Sequence, residues 1–354
     1  MTKANKPILM VGSAPGTDAE DVIRHFAAGV GDRALAYSDG ETGLRRGWVA
    51  FLAATIYKNH PGIEPSYLHS GPTPTGYEDL PRFRVKEGVK EIRFDTLGYA
   101  AEAKRSYAIY SALRDAGIVP AGVRFQVCLP MPEDAVRLFA ETLDDYLTIV
   151  DGYSEALGRE IAAIAEAIPP QDLVLQFDIN WEVLAVAAND VTGRRPMSFA
   201  LPGYPIERFV GYLKSFAGGI PRAAQFGLHL CYGDLHHHHY FAPSNLEVTV
   251  AMANSAVIAA PRRIDYVHMP VPANRVDNEY FAPLRDLTIG ETTLYAGLLH
   301  LSDGVPGALR RVEVLRRHYA GHLGVATECG LGHRPPDHTL ADLLALHRDV
   351  ADAL

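Results

Sequence analysis

The stretch that decides the fold prediction is residues 225–234, which read Gln225-Phe226-Gly227-Leu228-His229-Leu230-Cys231-Tyr232-Gly233-Asp234. Its first part is a short apolar run followed by turn residues, which is typical of a buried β-strand. Side chains two positions apart on a strand point to the same side of the sheet. His229 and Cys231 are therefore expected on one face, at the C-terminal end of a strand over Gln225–Leu230.

The same pattern, a short apolar run that ends in polar, Gly or Pro residues, occurs eight times along the chain. The predicted strands are Ile8–Val11, Ala34–Tyr37, Arg124–Leu129, Leu173–Phe177, Gln225–Leu230, Ile264–Val267, Leu294–Leu299 and Gly324–Thr327. The predicted helices are Asp18–Val30, Trp48–Tyr57, Tyr99–Ala116, Asp134–Ala167, Pro205–Ala217, Leu246–Ala259, Gly307–Ala320 and Thr339–Leu354. Repeated strand-then-helix units need parallel pairing with crossover connections, and eight of them close into a barrel.

The sequence therefore predicts an α/β protein, a (β/α)8 TIM barrel that forms a single domain over residues 1–354. Residues 60–95 are rich in Pro and Gly and predict an insertion with a β-hairpin near Phe83–Phe94. A doubly wound open sheet is the alternative architecture. The barrel is favoured because nearly every predicted strand ends in residues able to do chemistry, and the C-terminal strand ends of a barrel converge on one face.

The composition is that of an ordinary globular protein, with 48% hydrophobic and 21% charged residues. No apolar run approaches the roughly 18–20 residues that span a bilayer. The formal net charge of -9 disfavours a nucleic-acid partner. The three cysteines are too few and too far apart for a disulfide framework. We therefore expect a cytoplasmic protein without nucleic-acid or membrane partners, and the sequence is compatible with a homo-oligomer.

Two further strand ends carry candidate metal ligands. The segment Ala326-Thr327-Glu328-Cys329-Gly330 places Cys329 just after the last predicted strand, and His268 follows another. An imidazole with two thiolates is a common zinc ligand set. His229, Cys231 and Cys329 are therefore the candidate ligands, with His268 as a candidate fourth. Taken singly, a cysteine in an apolar strand is more often a small core residue, and a histidine at a strand end is commonly only hydrogen-bonded, so the metal hypothesis depends on their combination.

Acidic and basic side chains gather at other strand ends. Asp39 and Glu41 follow the second predicted strand, and Arg45 comes shortly after them. This pattern is typical either of a solvated tight turn or of a substrate clamp in which Arg45 meets a carboxylate or phosphate. Asp178 ends the fourth predicted strand, and Glu182 follows it.

The chain also contains an internal run, His236-His237-His238-His239, shortly after Cys231. A partly solvated loop is the ordinary interpretation of such a run. His237 or His239 is a further candidate for entering the pocket or holding a metal.

Three separated segments resemble the C-terminal catalytic domain of cobalamin-independent methionine synthase, in the superfamily shared with uroporphyrinogen decarboxylase. Val11-Gly12-Ser13-Ala14-Pro15-Gly16-Thr17 is similar to the first strand-end motif of that family. His229-Leu230-Cys231-Tyr232 is similar to its zinc motif, and Glu328-Cys329-Gly330-Leu331 to the motif that supplies its last zinc cysteine. Leu175-Gln176-Phe177-Asp178 also resembles the strand whose acidic residue contacts the amino-acid substrate.

The resemblance implies a TIM barrel, a catalytic zinc ion and alkyl transfer to a thiol, with Ser13 touching a substrate carboxylate. The sequence also differs from the family's pattern at several positions. His268 stands where the family has a glutamate ligand, and the segment Asp39–Arg45 has no counterpart. The folate-binding residues do not map onto this sequence. We expect a relative of the family without the long N-terminal domain of the plant and bacterial synthases.

The hypothesis that follows is a zinc-dependent methyl or small-alkyl transferase, with a small-molecule thiol and an alkyl donor as its partners. A free thiol with a pKa near 8.5 is mostly protonated at neutral pH, and zinc coordination deprotonates it while leaving a usable sulfur nucleophile. The predicted ligands are His229, Cys231, Cys329 and His268. The candidate acids are Asp178, Glu41, Asp39 and Glu182, and the candidate substrate contacts are Ser13, Arg45, Glu182 and Glu328. The alternatives are a zinc hydrolase or lyase, a metal-free decarboxylase-like barrel, and a non-enzymatic binding module.

Overall fold

The computed structural model describes residues 6–70, 76–189, 191–233, 239–332 and 340–354. In chain order the strands are β1 (Ala36–Tyr37), β2 (Ile63–Tyr67), β3 (Arg82–Val85), β4 (Arg124–Pro130), β5 (Leu173–Ile179), β6 (Gln225–Leu230), β7 (Tyr266–Pro270), β8 (Thr293–Leu299) and β9 (Leu323–Thr327). The helices are α1 (Ala19–Gly29), α2 (Ala50–Thr55), α3 (Tyr99–Asp115), α4 (Leu143–Ala167), α5 (Trp181–Ala187), α6 (Pro205–Ala217), α7 (Glu247–Ala259), α8 (Asn278–Phe281), α9 (Gly304–Arg316) and α10 (Leu340–Ala351). Among the described residues, no helix combines the length and the apolar character needed to cross a membrane.

Within the described part of the chain, seven strands form one sheet in the order β1-β4-β5-β6-β7-β8-β9. Every neighbouring pair is parallel. Parallel neighbours in sequence order need a crossover between each pair of strands, and the helices supply these crossovers. The result is the predicted α/β architecture, a curled parallel sheet that is consistent with a TIM-like barrel.

The first predicted strand, Ile8–Val11, contributes a single residue to the ladder. Ile8 forms parallel bridges with Ala34, which precedes β1, and with Val325 in β9. The backbone N–H of Leu9 donates to the carbonyl oxygen of Val325 at 3.1 Å. Both edge strands of the sheet therefore contact this one short segment.

Side chains replace strand neighbours along the rest of this segment. Gln126 Nε2 donates to the carbonyl oxygens of Met10 at 3.0 Å and Val11 at 3.1 Å. Gln176 Nε2 donates to the Val11 carbonyl oxygen at 2.6 Å. Because buried carbonyl groups need a hydrogen-bond partner from any source, these two side chains remove the need for an adjacent strand. The prediction of a strand over residues 8–11 is therefore wrong beyond Ile8.

The predicted insertion does contain a hairpin, but different residues form it. β2 and β3 pair antiparallel, with Ile63 opposite Val85 and Pro65 opposite Phe83. The prediction of a hairpin near Phe83–Phe94 is thus correct only for its first residues. Pro65 lies within β2, and an edge strand tolerates a proline although proline cannot donate to a ladder.

Two central strands run further than predicted. β5 ends at Ile179 instead of Phe177, and β7 spans Tyr266–Pro270 instead of Ile264–Val267. Asp178 and His268 are consequently strand residues, and not loop residues beyond the strand ends.

The predicted helix Asp134–Ala167 is divided into two parts. A π-helical turn covers Glu133–Arg137, and α4 begins only after Thr142. The Thr142 side chain accepts from the backbone N–H of Asp145, and the Asp145 side chain accepts from the Thr142 backbone. This reciprocal capping box fixes where α4 starts.

One tyrosine ring crosses the interior of the sheet over a glycine. Gln176, Gly227 and Tyr266 lie side by side in register on β5, β6 and β7. A Cβ at Gly227 would lie 1.9 Å from Tyr266 Cζ, so the ring occupies the space of the missing side chain. The Tyr266 hydroxyl donates to Gln176 Oε1 at 2.9 Å, and Gln176 Nε2 donates to Asp178 Oδ1 at 2.8 Å. Gly227 thus lets one ring fix the orientation of a carboxylate near a strand end.

We expect Gly227→Ala to destabilise the fold by about 1–3 kcal/mol, because the added methyl group displaces the Tyr266 ring from a packed interior. The control is Gly158→Ala in α4, where a Cβ meets nothing within 4 Å. That variant should be stabilised by about 0.5–1 kcal/mol, since alanine is the better helix residue. Urea unfolding curves measure both differences. Equal midpoints for Gly227→Ala and the parent protein would contradict the packing described.

Candidate functional site

One imidazole and two thiols meet at the C-terminal ends of β6 and β9. His229 lies in β6, Cys231 directly follows that strand, and Cys329 lies just beyond β9. Cys231 Sγ is 3.8 Å from Cys329 Sγ, which is 3.7 Å from His229 Nε2. All three ligand atoms lie within 4.8 Å of one another. The structure therefore brings together the three candidate ligands that the sequence indicated.

These separations match those of a tetrahedral zinc site. Zn–S bonds of about 2.3 Å at the tetrahedral angle place two sulfur atoms about 3.8 Å apart, and a Zn–N bond of about 2.0 Å puts nitrogen about 3.5 Å from sulfur. Sulfur and imidazole ligands favour zinc over magnesium or calcium. Three protein ligands leave one position for a substrate or water, as in catalytic zinc sites. The donor set and its spacing therefore fit zinc.

The segment after Cys329 packs closely against Ser13. The backbone N–H of Leu331 donates to the Ser13 carbonyl oxygen at 2.6 Å, and that of Gly332 donates to Ser13 Oγ at 3.3 Å. A Cβ at Gly330 would lie 2.3 Å from Ser13 Oγ, so this approach requires glycine. Ser13, a predicted substrate contact, therefore lies on the same rim as Cys329.

His268 lies behind His229 and does not face the two sulfur atoms. His268 Nδ1 is 2.7 Å from His229 Nδ1, and His268 Nε2 is 3.0 Å from the carbonyl oxygen of Thr327. Burial lowers the pKa of His268 to about 3 and the pKa of His229 well below its usual value. Both rings are therefore neutral at neutral pH. Ligation by His268, the predicted fourth ligand, would require it to leave both of these contacts.

A second cluster joins Glu41, Cys128 and Asp178, whose ligand atoms also lie within 4.8 Å of one another. Asp178 is the register partner of His229 on the neighbouring strand, so the second cluster adjoins the first. Glu41 and Asp178 were predicted to act in catalysis. Cys128 was not assigned to the site, although its place near the C-terminal end of β4 follows the same strand-end rule.

The carboxyl groups of this second cluster have raised pKa values. Burial raises the pKa of Glu41 to about 8, and the charge of Asp178 adds to the shift. Burial likewise raises the pKa of Asp178 to about 7, against the opposing effect of hydrogen bonds from Gln176 and Trp48. Burial, followed by the same carboxylates, raises the pKa of the Cys128 thiol well above its usual value. Two buried carboxyl groups that interact in this way share a proton near neutral pH and attract a cation.

Side chains of the Asp39–Arg45 loop hold each other and orient Glu41. Arg45 Nη2 lies 2.5 Å from Asp39 Oδ2, which also accepts from Ser106 Oγ at 2.6 Å. Asp39 Oδ1 accepts from the backbone N–H of Glu41 at 3.0 Å. Glu41 has a φ of 51°, which is uncommon for a residue other than glycine. Asp39 and Arg45 thus neutralise each other and fix the backbone that aims Glu41 at Asp178.

Glu182 lies apart from both clusters. It is fully buried, and its Oε1 accepts from the backbone N–H of Glu133 at 3.1 Å. Burial, together with the neighbouring carboxylates of Asp134 and Glu133, raises the pKa of Glu182 well above its usual value. The predicted substrate contact by Glu182 does not fit this burial.

Glu328 lies on the rim beside Cys329. Its carboxylate is 2.8 Å from His239 Nε2 and 3.7 Å from His300 Nδ1. His239 therefore does reach the rim, as the sequence allowed. Residues 236–238 of the histidine run lie outside the described residues.

Two solved structures are similar to this chain in fold. A B12-independent methionine synthase from Shewanella sp. W3-18-1, in complex with selenomethionine, matches with a TM-score of 0.60 and 12% identity over 99% of this chain and 98% of that chain. A protein described as a vitamin-B12-independent methionine synthase from Listeria monocytogenes matches with a TM-score of 0.53 and 16% identity over 95% of this chain and 86% of that chain. No protein-family model and no curated protein matches the sequence. The structural likeness predicted from the sequence motifs is confirmed, and at these identities it concerns the fold.

The raised pKa of Glu41 makes folding stability depend on pH. A carboxyl group with a folded-state pKa of about 8 and an ordinary value of 4.5 binds its proton more tightly in the folded state. Its stabilising effect is complete below the lower value and is lost as the pH rises through the higher one. We expect the urea midpoint of the parent protein to fall across this range, and Glu41→Gln to reduce the fall.

The control for this experiment is Glu20→Gln, at an exposed position of α1. It should leave the pH dependence of the midpoint unchanged. A Glu41→Gln variant that loses as much stability between the two pH values as the parent would exclude a protonated Glu41.

Proposed function

We propose that this chain is a zinc-dependent methyltransferase that moves a methyl or other small alkyl group onto the thiol of a small amino-acid-like substrate. The observation that carries the proposal is the convergence of His229, Cys231 and Cys329, with sulfur atoms 3.8 Å apart and sulfur to nitrogen 3.7 Å. The fold likeness to two methionine synthase structures supports it.

The ligand set favours a thiol substrate over a water nucleophile. A zinc ion at this site supplies the charge that lowers the pKa of a thiol and keeps its sulfur available as a nucleophile. Two cysteine sulfurs donate more electron density than the His and carboxylate ligands of zinc hydrolases, which makes a water at the remaining position a weaker acid. We therefore place hydrolysis or elimination behind alkyl transfer.

The second cluster supports a substrate that carries an ammonium group. Glu41 and Asp178 share a proton near neutral pH in the absence of a cation, and an ammonium group can replace that proton. Asp178 and His229 are register partners on adjacent strands, which lie about 4.8 Å apart. A thiol and an ammonium group separated by a few bonds, as in homocysteine, span such a distance. Ser13, on the same rim as Cys329, is available for the carboxylate of the same substrate.

The transfer step needs no covalent bond to the protein. The substrate sulfur forms a bond to the methyl carbon while the bond from that carbon to the donor's leaving atom breaks. The leaving atom keeps the electron pair and takes a proton from solvent or from a rim group such as His239. The protein's contribution is to hold the substrate by its ammonium group so that the sulfur, the methyl carbon and the leaving atom lie in line, which is the source of rate acceleration by positioning.

We further propose that the sheet closes into a TIM barrel as one domain, with the segment at Ile8 in the place of the eighth strand. The bridges of Ile8 to Ala34 and to Val325 support this closure, because they join the two edge strands through one segment. In a closed barrel both clusters lie on the C-terminal face, where barrel active sites are built.

The first test of the function is zinc content. Protein purified without a nickel column should hold about one zinc ion per chain. Cys231→Ser and Cys329→Ser should each lose most of it, because each removes one of three ligands. The matched control is Cys128→Ser, which lies in the second cluster and should keep the zinc of the parent protein. Elemental analysis measures all four proteins, and a parent far below one equivalent, or a Cys231→Ser variant that keeps its zinc, defeats the proposal.

The second test concerns the thiol and its ammonium group. Adding homocysteine to the zinc-loaded protein should add a sulfur ligand that zinc-edge X-ray absorption detects. Glu41→Gln and Asp178→Asn should each weaken homocysteine binding by about 10–100-fold, since a hydrogen bond to a charged group contributes about 1.5–3 kcal/mol. Mercaptobutyrate, which lacks the amino group, should bind the parent and both variants alike.

Indifference of the zinc spectrum to every thiol would favour the hydrolase or lyase alternative. If both variants bound homocysteine and mercaptobutyrate more weakly to the same extent, Glu41 and Asp178 would not contact the ammonium group. This result would not count against the zinc site.

A further inference from the structure

We propose that His268, together with the carbonyl group of Thr327, is the positioning residue of the metal centre: it fixes the proton of His229 on Nδ1 and so aims the bare Nε2 at the two sulfurs. The inference rests on the zinc site proposed above, but the hydrogen-bond geometry that carries it belongs to the protein alone.

The direction of each hydrogen bond follows from one fixed acceptor. The Thr327 carbonyl oxygen can only accept, so His268 Nε2, 3.0 Å away, carries a hydrogen. Full burial disfavours a second hydrogen and the charge it would bring to the His268 ring, so its Nδ1 is unprotonated. His229 Nδ1 lies 2.7 Å from that atom and must donate to it. The His229 ring is buried as well and carries no second hydrogen, so its Nε2 has a lone pair, and this is the atom that lies 3.7 Å from Cys329 Sγ.

A further hydrogen bond connects Thr327 to the backbone of Cys329, the last proposed ligand in the sequence. Thr327 Oγ1 donates to the carbonyl oxygen of Cys329 at 2.8 Å, so the residue that anchors His268 also holds the backbone of Cys329. His268 and Thr327 are 0% and 1% exposed, which keeps bulk water away from the hydrogen bond between them. The orientations of the imidazole ligand and of one sulfur ligand are thereby set by the same pair of residues.

A glycine on the intervening strand makes room for this link. His268 lies in β7 and Thr327 in β9, with β8 between them. Gly297 in β8 has no side chain, and a Cβ there would lie 3.0 Å from the Thr327 carbonyl oxygen and 2.9 Å from Glu328 Cα. The contact between His268 in β7 and Thr327 in β9 therefore depends on the small size of Gly297 in β8.

The physical effect is selection of one imidazole tautomer. Without a partner at Nδ1, a neutral imidazole also populates the form with its proton on Nε2, which cannot bind a metal through Nε2. Metal-binding histidines usually donate their other N–H to a carboxylate, a carbonyl or water. Here a second neutral imidazole takes that role, so the link adds no negative charge beside the two cysteine sulfurs.

The test compares two substitutions of His268 in the full-length protein. His268→Phe removes the acceptor and should weaken zinc binding by about 10–100-fold, the usual effect of losing a residue that orients a ligand. His268→Gln should recover most of that loss, because its amide can accept from His229 and donate to Thr327. His347→Phe, a fully buried histidine in α10, is the control and should bind zinc as the parent does. Competition with a chromophoric chelator measures the affinity, and thermal unfolding shows that each variant is folded.

A second measurement does not depend on zinc. Nitrogen-edited NMR of the metal-free parent should show the His229 proton on Nδ1 and the His268 proton on Nε2, and His268→Gln should keep the His229 proton in place. A His229 proton on Nε2 in the parent, unchanged zinc affinity in a folded His268→Phe variant, or X-ray absorption showing two imidazoles on the metal would each overturn the inference. Failure of the parent to bind zinc would instead defeat the proposed function, and the NMR result would still decide the tautomer.

Discussion

The site depends on a contact between strand ends that are not neighbours in the sheet. β6 and β9 are separated by β7 and β8. Parallel strands lie about 4.8 Å apart, so a flat sheet would hold these two about 14 Å from each other. Yet Cys231 Sγ and Cys329 Sγ, which belong to the ends of these strands, are 3.8 Å apart. Only strong curling of the sheet allows this approach, and the bridges of Ile8 to both edges maintain the curl.

The interior of the curled sheet contains a layer of buried polar side chains. Gln126, Gln176 and Tyr266 are almost fully buried, and their side chains are joined to the Val11 carbonyl group and to Asp178. A buried polar network stabilises a single arrangement when its members are paired, because an unpaired group in a low dielectric costs about 1–3 kcal/mol. Gln176 and Tyr266 are paired in this way, whereas Gln126 Oε1 has no hydrogen-bond partner among the described residues. The network therefore ties the N-terminal segment and the orientation of Asp178 to one register of the strands.

The sequence was informative wherever local spacing decides geometry. The two-residue spacing of His229 and Cys231 predicted a shared face, and the alternation of apolar runs with helix-like segments predicted a parallel α/β sheet. It failed where distant side chains decide. The predicted strand at Ile8–Val11 does not form beyond Ile8, because glutamines more than a hundred residues later in the sequence bind its carbonyl groups. The role of His268 depends on a carbonyl group of β9, which no spacing within the sequence reveals.

Under the proposed function, the two clusters also explain how a mostly buried pocket can accept a charged substrate. Without substrate, Glu41 and Asp178 share a proton, so the pocket carries less charge than its side chains imply. An ammonium group that enters displaces this proton and forms an ion pair in a low dielectric, where the attraction is strong. A neutral thiol gains no such pair, and an anionic group in the same place would face a carboxylate. Burial of the two carboxyl groups thus favours a thiol substrate that also carries a positive charge. Burial also lowers the pKa of His229, which keeps the ring neutral and able to bind a metal.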